Sequence, residues 1–150
     1  MDDPVNITAW QRLGPDVTTS GALRPDDLPM LAALGVRHVI NLALADHPEA
    51  LAGEAEALAA LGIAYTHVPV PFEAPDDTHF AAFRAALEAA TGPVHVHCIM
   101  NWRVSAFFYR YHREVLDIPV DQAEALLTRQ WDPATHAHPA AATWARFIGR

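Results

Sequence analysis

"VHVHCIMNWRVSAF", residues 94–107, sets the only cysteine of a 150-residue chain between an apolar run and a segment with helical spacing. The stretch 92–98, ending at Cys98, predicts a strand. From Trp102 onward, Val104, Phe108, Tyr111 and Val115 fall at i, i+4, i+7 and i+11, the spacing of one helix face. A strand, a short loop and the first turn of a helix direct several unpaired backbone N–H groups at one point, and the helix dipole adds partial positive charge there. A cysteine at the strand end lies on the floor of such a nest, where the same donors favour its thiolate. Arg103 can fork two N–H bonds onto phosphate oxygens, a geometry lysine cannot reproduce. Asn101 readily takes the left-handed backbone that a tight nest requires. Cys98 is thus a candidate nucleophile, and Ile99, Met100, Asn101, Trp102 and Arg103 are candidate anion-binding residues. The competing readings are structural: a free cysteine also serves as a small core residue. His97 equally suits a loop-orienting role or a core position bonded to backbone.

Outward from this stretch, elements of two kinds alternate. Residues 24–35 carry Pro25 and two aspartates at the start and Gly35 at the end, which is helix start and stop chemistry. Residues 37–44 read as a buried strand, 47–62 as a helix closed by Gly62, and 63–70 as a further strand. After a Pro-rich connection at 71–77 comes a helix from about 77 to 90, with Phe80, Phe83 and Leu87 on one face. Two more helical stretches follow the cysteine helix, at 120–131 and around 143–148. Strands that are apolar throughout, alternating with helices, predict an α/β layer fold with a mostly parallel sheet. Ligands in such sheets sit at the carboxyl ends of the strands, where the loops after 44, 70 and 98 gather.

The length and a hydrophobic share of 51% suit one domain spanning residues 1–150. A formal net charge of −8 argues against a general grip on nucleic acid or anionic membrane, since both require clustered cations. A single cysteine cannot form an internal disulfide, the start has no secretory pattern, and no apolar run reaches spanning length, so a cytoplasmic address is expected. Nine histidines invite a metal reading, but "HVH" at 95–97 and "HAH" at 136–138 lack a convergent partner set, so no metal or other cofactor is expected. The four tryptophans read as core or rim packing.

The stretch 94–105 resembles the cysteine-dependent phosphatases, whose loop reads His-Cys, five residues, Arg, then Ser or Thr. Four residues separate Cys98 from Arg103 here. That shorter gap is similar to a bacterial group of dual-specificity-like phosphatases related to the phosphatase-like domain of beta-lactamase-hydrolase-like proteins. Residues 17–42 and 65–83 resemble the opening and middle of that group, and the likeness covers roughly residues 16–115. It implies a cysteine-phosphatase-like α/β fold, with a mostly parallel sheet of about four strands flanked by helices. It also implies attack of the Cys98 thiolate on phosphorus, with Arg103 and the loop amides holding the phosphoryl oxygens. The substrate would be a phosphorylated protein or a small phosphoester. Ser105, seven residues after the cysteine, keeps the count of the hydroxyl that assists thiolate release. The proton donor would come from residues 71–77, where Pro71 replaces a frequent Asp. Glu73 and Asp76 are the candidates, Glu73 preferred because Asp76 and Asp77 also suit the cap and first turn of the next helix. Asp46 and His47 are outsiders on a neighbouring loop. Two alternatives stay open: a non-catalytic phosphate-binding module, and a rhodanese-type sulfurtransferase, which also uses a short Cys loop.

Overall fold

The alternating valines and histidines of 94–97 form the central strand of the fold, and their two faces serve different layers. A computed structural model describes residues 2–150. In chain order the elements are β1 (Gln11–Gly14), β2 (Val17–Ser20), α1 (Asp27–Ala33), β3 (His38–Asn41), α2 (Glu54–Ala60), β4 (Ala64–His67), α3 (Asp77–Ala89), β5 (Val94–His97), α4 (Trp102–Glu114), α5 (Val120–Leu127) and α6 (Ala141–Ile148). The sheet order is β1-β2-β5-β3-β4, and β1 alone runs antiparallel to its neighbour. The sheet has five strands rather than about four: the stretches 37–44, 63–70 and 92–98 contain β3, β4 and β5, and the hairpin of β1 and β2 supplies the other two. Gly14, Pro15 and Asp16 turn the chain there, and β-branched Val17, Thr18 and Thr19 start the return.

Successive strand residues face opposite sides, so one layer takes Val94 and Val96 while the other takes His95 and His97. The valines join the larger core with Phe83, Phe107 and Trp144. A smaller core on the other side gathers Leu28, Leu31, Val39, Leu58 and Ile63 beneath α1 and α2. Fully buried His95 stays satisfied because the register sets it beside β2. Its Nδ1 meets the Thr18 hydroxyl at 2.9 Å and its Nε2 the Ser20 hydroxyl at 2.8 Å. Burial, aided by nearby His97, keeps this ring neutral well below the ordinary histidine range.

Three helices match their expected limits closely, and three are shorter, α5 ending at Leu127 rather than 131. The first starts at Asp27 rather than 24, with the Asp27 carboxylate accepting the Arg24 amide at 2.8 Å. The second starts at Glu54 rather than 47, because Gly53 turns left-handed at φ 69° and the preceding residues form turns. Asp76 caps α3 through a reciprocal box with His79. Among the described residues no helix is long and apolar enough to cross a membrane.

Candidate functional site

Where β5 ends, hydrogen bonds carry the sheet one residue further and deliver Cys98 to a fixed place. The Cys98 amide donates to the Ser20 carbonyl at 3.4 Å, and Leu42 donates to the His97 carbonyl at 2.9 Å. Ala22 then donates to the Ile99 carbonyl at 2.9 Å. Gly21 lies so close that a Cβ there would come within 2.5 Å of the same oxygen, so only glycine lets the loop approach β2 this way. Asn101 turns the chain with φ 65° and starts α4. Its buried amide donates to the Ala9 carbonyl at 2.9 Å and the Thr19 hydroxyl at 3.0 Å. Its Oδ1 has no hydrogen-bond partner among the described residues.

The amides of residues 99–103 donate to no group among the described residues. Unused donors at a loop and helix start are the groups an anion nest requires, and Cys98 lines the cavity beside Ile99, Met100, Trp102 and Arg103. Arg103 is buried, and one terminal nitrogen donates to the Val70 carbonyl at 2.9 Å. Its guanidinium carbon lies 5.8 Å from the Phe72 ring centre. These contacts fix the fork while leaving its other N–H groups for an anion.

A cavity of about 300 Å³ opens here, and Glu73 and His138 share its wall with Cys98 and Arg103. Leu44, His47, Phe72, Ile99, Met100 and Trp102 complete the lining. Among the described residues no three His, Cys, Asp or Glu side chains converge as metal ligands.

The carboxylates separate clearly. Exposed Glu73 lies in the wall. Asp76 lies outside it, spent on its helix cap, and the Thr78 hydroxyl followed by the His79 amide holds it below the usual carboxylate range. Such a group is ionised near neutrality and is a poor proton donor. Ser105 also departs from its expected place. Its hydroxyl donates to the Trp102 carbonyl at 3.1 Å, and it lines a separate small cavity with Gln11, Thr19 and His112. The count from the cysteine is preserved, but the count from Arg103 is one too many, and one extra helical residue turns a side chain by about 100°.

Other contributors were hidden in ordinary-looking sequence. Glu54, in the alanine-rich helix closed by Gly62, is buried with an oxygen 2.6 Å from His97 Nε2. His97 Nδ1 lies 3.3 Å from the Cys98 carbonyl, so this pair braces the strand end from below. A buried carboxylate needs such a partner. Phe72 is fixed by the C-terminal segment: Trp144 Nε1 donates to its carbonyl at 2.6 Å, and Trp131 lies 5.9 Å away, stacked on Trp102 at 5.0 Å.

The sequence model for the beta-lactamase hydrolase-like protein, phosphatase-like domain, matches residues 10–109. The chain belongs to that family. No curated protein matches the sequence. Among solved structures, a presumed phosphatase of Shewanella putrefaciens CN-32 is 26% identical, covering 95% of this chain and 89% of its own, with a TM-score of 0.79. The S. cerevisiae PP-IP phosphatase SIW14, solved with citrate, is 16% identical over 95% of this chain and 86% of its own, with a TM-score of 0.74. P. aeruginosa TpbA, solved with phosphotyrosine, is 16% identical over 93% and 82% of the two chains, with a TM-score of 0.64. At such identities the last two likenesses concern the fold, and the fold is that of cysteine phosphatases.

Proposed function

We propose that this chain is a cysteine-dependent phosphatase acting on phosphomonoesters. The observation that carries the reading is the set of unused amides at residues 99–103, gathered beside Cys98 with an Arg103 fork already anchored on Val70. The Cys98 thiolate attacks phosphorus in line, forming the S–P bond as the bond to the leaving oxygen breaks. Arg103 and the amides hold the equatorial oxygens, where charge is greatest in the transition state. Glu73 gives its proton to the leaving oxygen. In the second half it takes a proton from water as that water attacks phosphorus, the S–P bond breaks, phosphate leaves and the thiolate returns.

Ser105 and Asp76 have no part in this scheme, since their side chains serve the helix backbone elsewhere. The expected substrates are a phosphorylated protein or a small phosphoester, met in the cytoplasm. Aryl phosphate hydrolysis should vanish in Cys98→Ser, and full activity in that variant would sink the covalent mechanism. One observation favours a second reading: Glu73, the candidate donor, is exposed, and Pro71 stands where the resemblance implies a frequent Asp. A module that binds phosphate or vanadate tightly and turns nothing over would be that second protein. Thiocyanate formed from thiosulfate and cyanide, without phosphate release, would point instead to a sulfurtransferase.

A further inference from the structure

Three loop histidines share one turn. His47, His136 and His138 each accept, at Nδ1, the amide of the residue two positions on, which is Glu49, His138 and Ala140 respectively, all at 3.0 Å. A ring nitrogen that accepts an N–H carries no proton, so in the neutral ring the proton sits on Nε2. Each ring is therefore a one-sided donor. The same bond opposes metal ligation at Nε2, because ligation would move the proton to Nδ1, against the amide hydrogen.

Two of the three belong to the Cys98 cavity. His47 and His138 lie in its wall with Phe72 and Trp102, while His136 packs on Trp102 at 4.7 Å outside it. His138 stands edge-on to Phe72 at 4.9 Å and to Trp102 at 6.2 Å. Neither Nε2 is used by another group among the described residues. Arg103 is the one permanent cation of the wall, so beyond the phosphoryl group the mouth offers aromatic faces and neutral donors.

We propose that His47 and His138 set the specificity of this site. Their Nε2–H groups bind an acceptor oxygen on the leaving group of an aryl monophosphate, whose ring lies along Phe72 and Trp102. Esters carrying a second phosphate are disfavoured for want of a second cation. This rests on the phosphate reading of the Cys98 loop. A phosphotyrosyl peptide, with its main-chain carbonyls, and a free phenolic phosphate share the chemistry.

Side-chain isosteres test it in the full chain carrying Cys98→Ser. Asn places its amide at the level of Nδ1 and can still close the turn, whereas Gln places its amide at the level of Nε2. Calorimetry would use inorganic phosphate, phenyl phosphate, 4-carbamoylphenyl phosphate and a phosphotyrosyl peptide. The parent should bind the carbamoyl ester about 30-fold more tightly than phenyl phosphate, the value of two added hydrogen bonds. His138→Asn should lose about fivefold of that preference, the share of one bond, and His138→Gln keep most of it, with inorganic phosphate bound equally by all. His47 should behave in the same way, and His136→Asn should match the parent for every ligand. A peptide preferred over the carbamoyl ester identifies protein as the source, and the reverse identifies a small molecule. Unchanged preference in both Asn variants overturns the proposal, as does retention in Asn with loss in Gln, which assigns the rings to loop structure. A parent that binds not even inorganic phosphate removes the phosphate reading and the proposal with it, a result distinguishable from the other two.

Discussion

Residues 98–103 rest on buried bonds to β2, to Val70 and to the segment before β1, whereas Phe72 and Glu73, in the same cavity wall, rest on the aromatic contacts and one indole bond that Phe72 receives. On the phosphate side, Gly21, Asn101 and Val70 leave the loop little freedom. On the leaving-group side, Glu73 is exposed, and Phe72 is steadied through the Trp144 indole. Phosphoryl chemistry demands fixed donors, because a donor that must reorganise stabilises the transition state less. A leaving group varies from substrate to substrate, and a softer wall accommodates it.

Substitutions can break this contrast one side at a time. Arg103→Lys should cost about 10²- to 10³-fold in kcat/KM, since a point charge replaces a preorganised fork. Steady-state kinetics with an aryl phosphate measures it, and a Lys variant within a few-fold of the parent would show the fork to be idle. Gly21→Ala comes next. The added Cβ would overlap the Ile99 carbonyl, so the loop must shift, and such displacement costs on the order of 10²-fold in rate. That loss should fall in kcat and be matched by weaker vanadate binding; unchanged vanadate affinity would show that the neighbour yields rather than the loop.

Trp144→Phe probes the softer side. It retains a ring against Phe107 but removes the indole N–H that holds the Phe72 carbonyl and leaves a void in the core, a loss of about 2–3 kcal/mol in stability. KM should rise a few-fold with vanadate affinity unchanged, and an equal fall in both would mean that the two sides are not separable.

The effect furthest from turnover concerns the layer beneath the Cys98 loop. Neutral His95 takes up no proton in the folded chain, while the unfolded chain does so below its ordinary value of 6.5. Its contribution is therefore complete above that pH and is lost as pH falls, by at most about 1.4 kcal/mol per unit for one proton. Burial lowers His112 and His38 in the same sense. Thermal melts should show Tm falling from pH 6.5 to 5, and a flat profile would contradict the buried neutral ring.

The same contrast explains what could be read from the amino acids. The loop from Cys98 to Arg103 is contiguous, so its strand, turn, arginine and helix were legible at residues 92–115, as was the alternation that makes the sheet parallel. The hairpin was not, because Gln11, Arg12 and Thr18 interrupt the apolar pattern of a strand whose polar side chains find buried partners. Ser105 was misplaced by counting from the cysteine rather than from the arginine that sets the helix phase. Glu54, Phe72 and His138 depend on contacts between distant segments. No local periodicity marks a carboxylate that will meet His97, or a loop that Trp144 will hold.

Asn101 joins the nest to the outermost part of the sheet. Its side chain ties the loop to Ala9 and Thr19, so the anion site and the β1-β2 hairpin form one cooperative unit in local opening. With an anion bonded to the amides of residues 99–103, their hydrogen exchange should then follow that of the hairpin rather than that of the exposed 71–76 loop. A ligand that closes the nest would slow exchange as far away as Gln11.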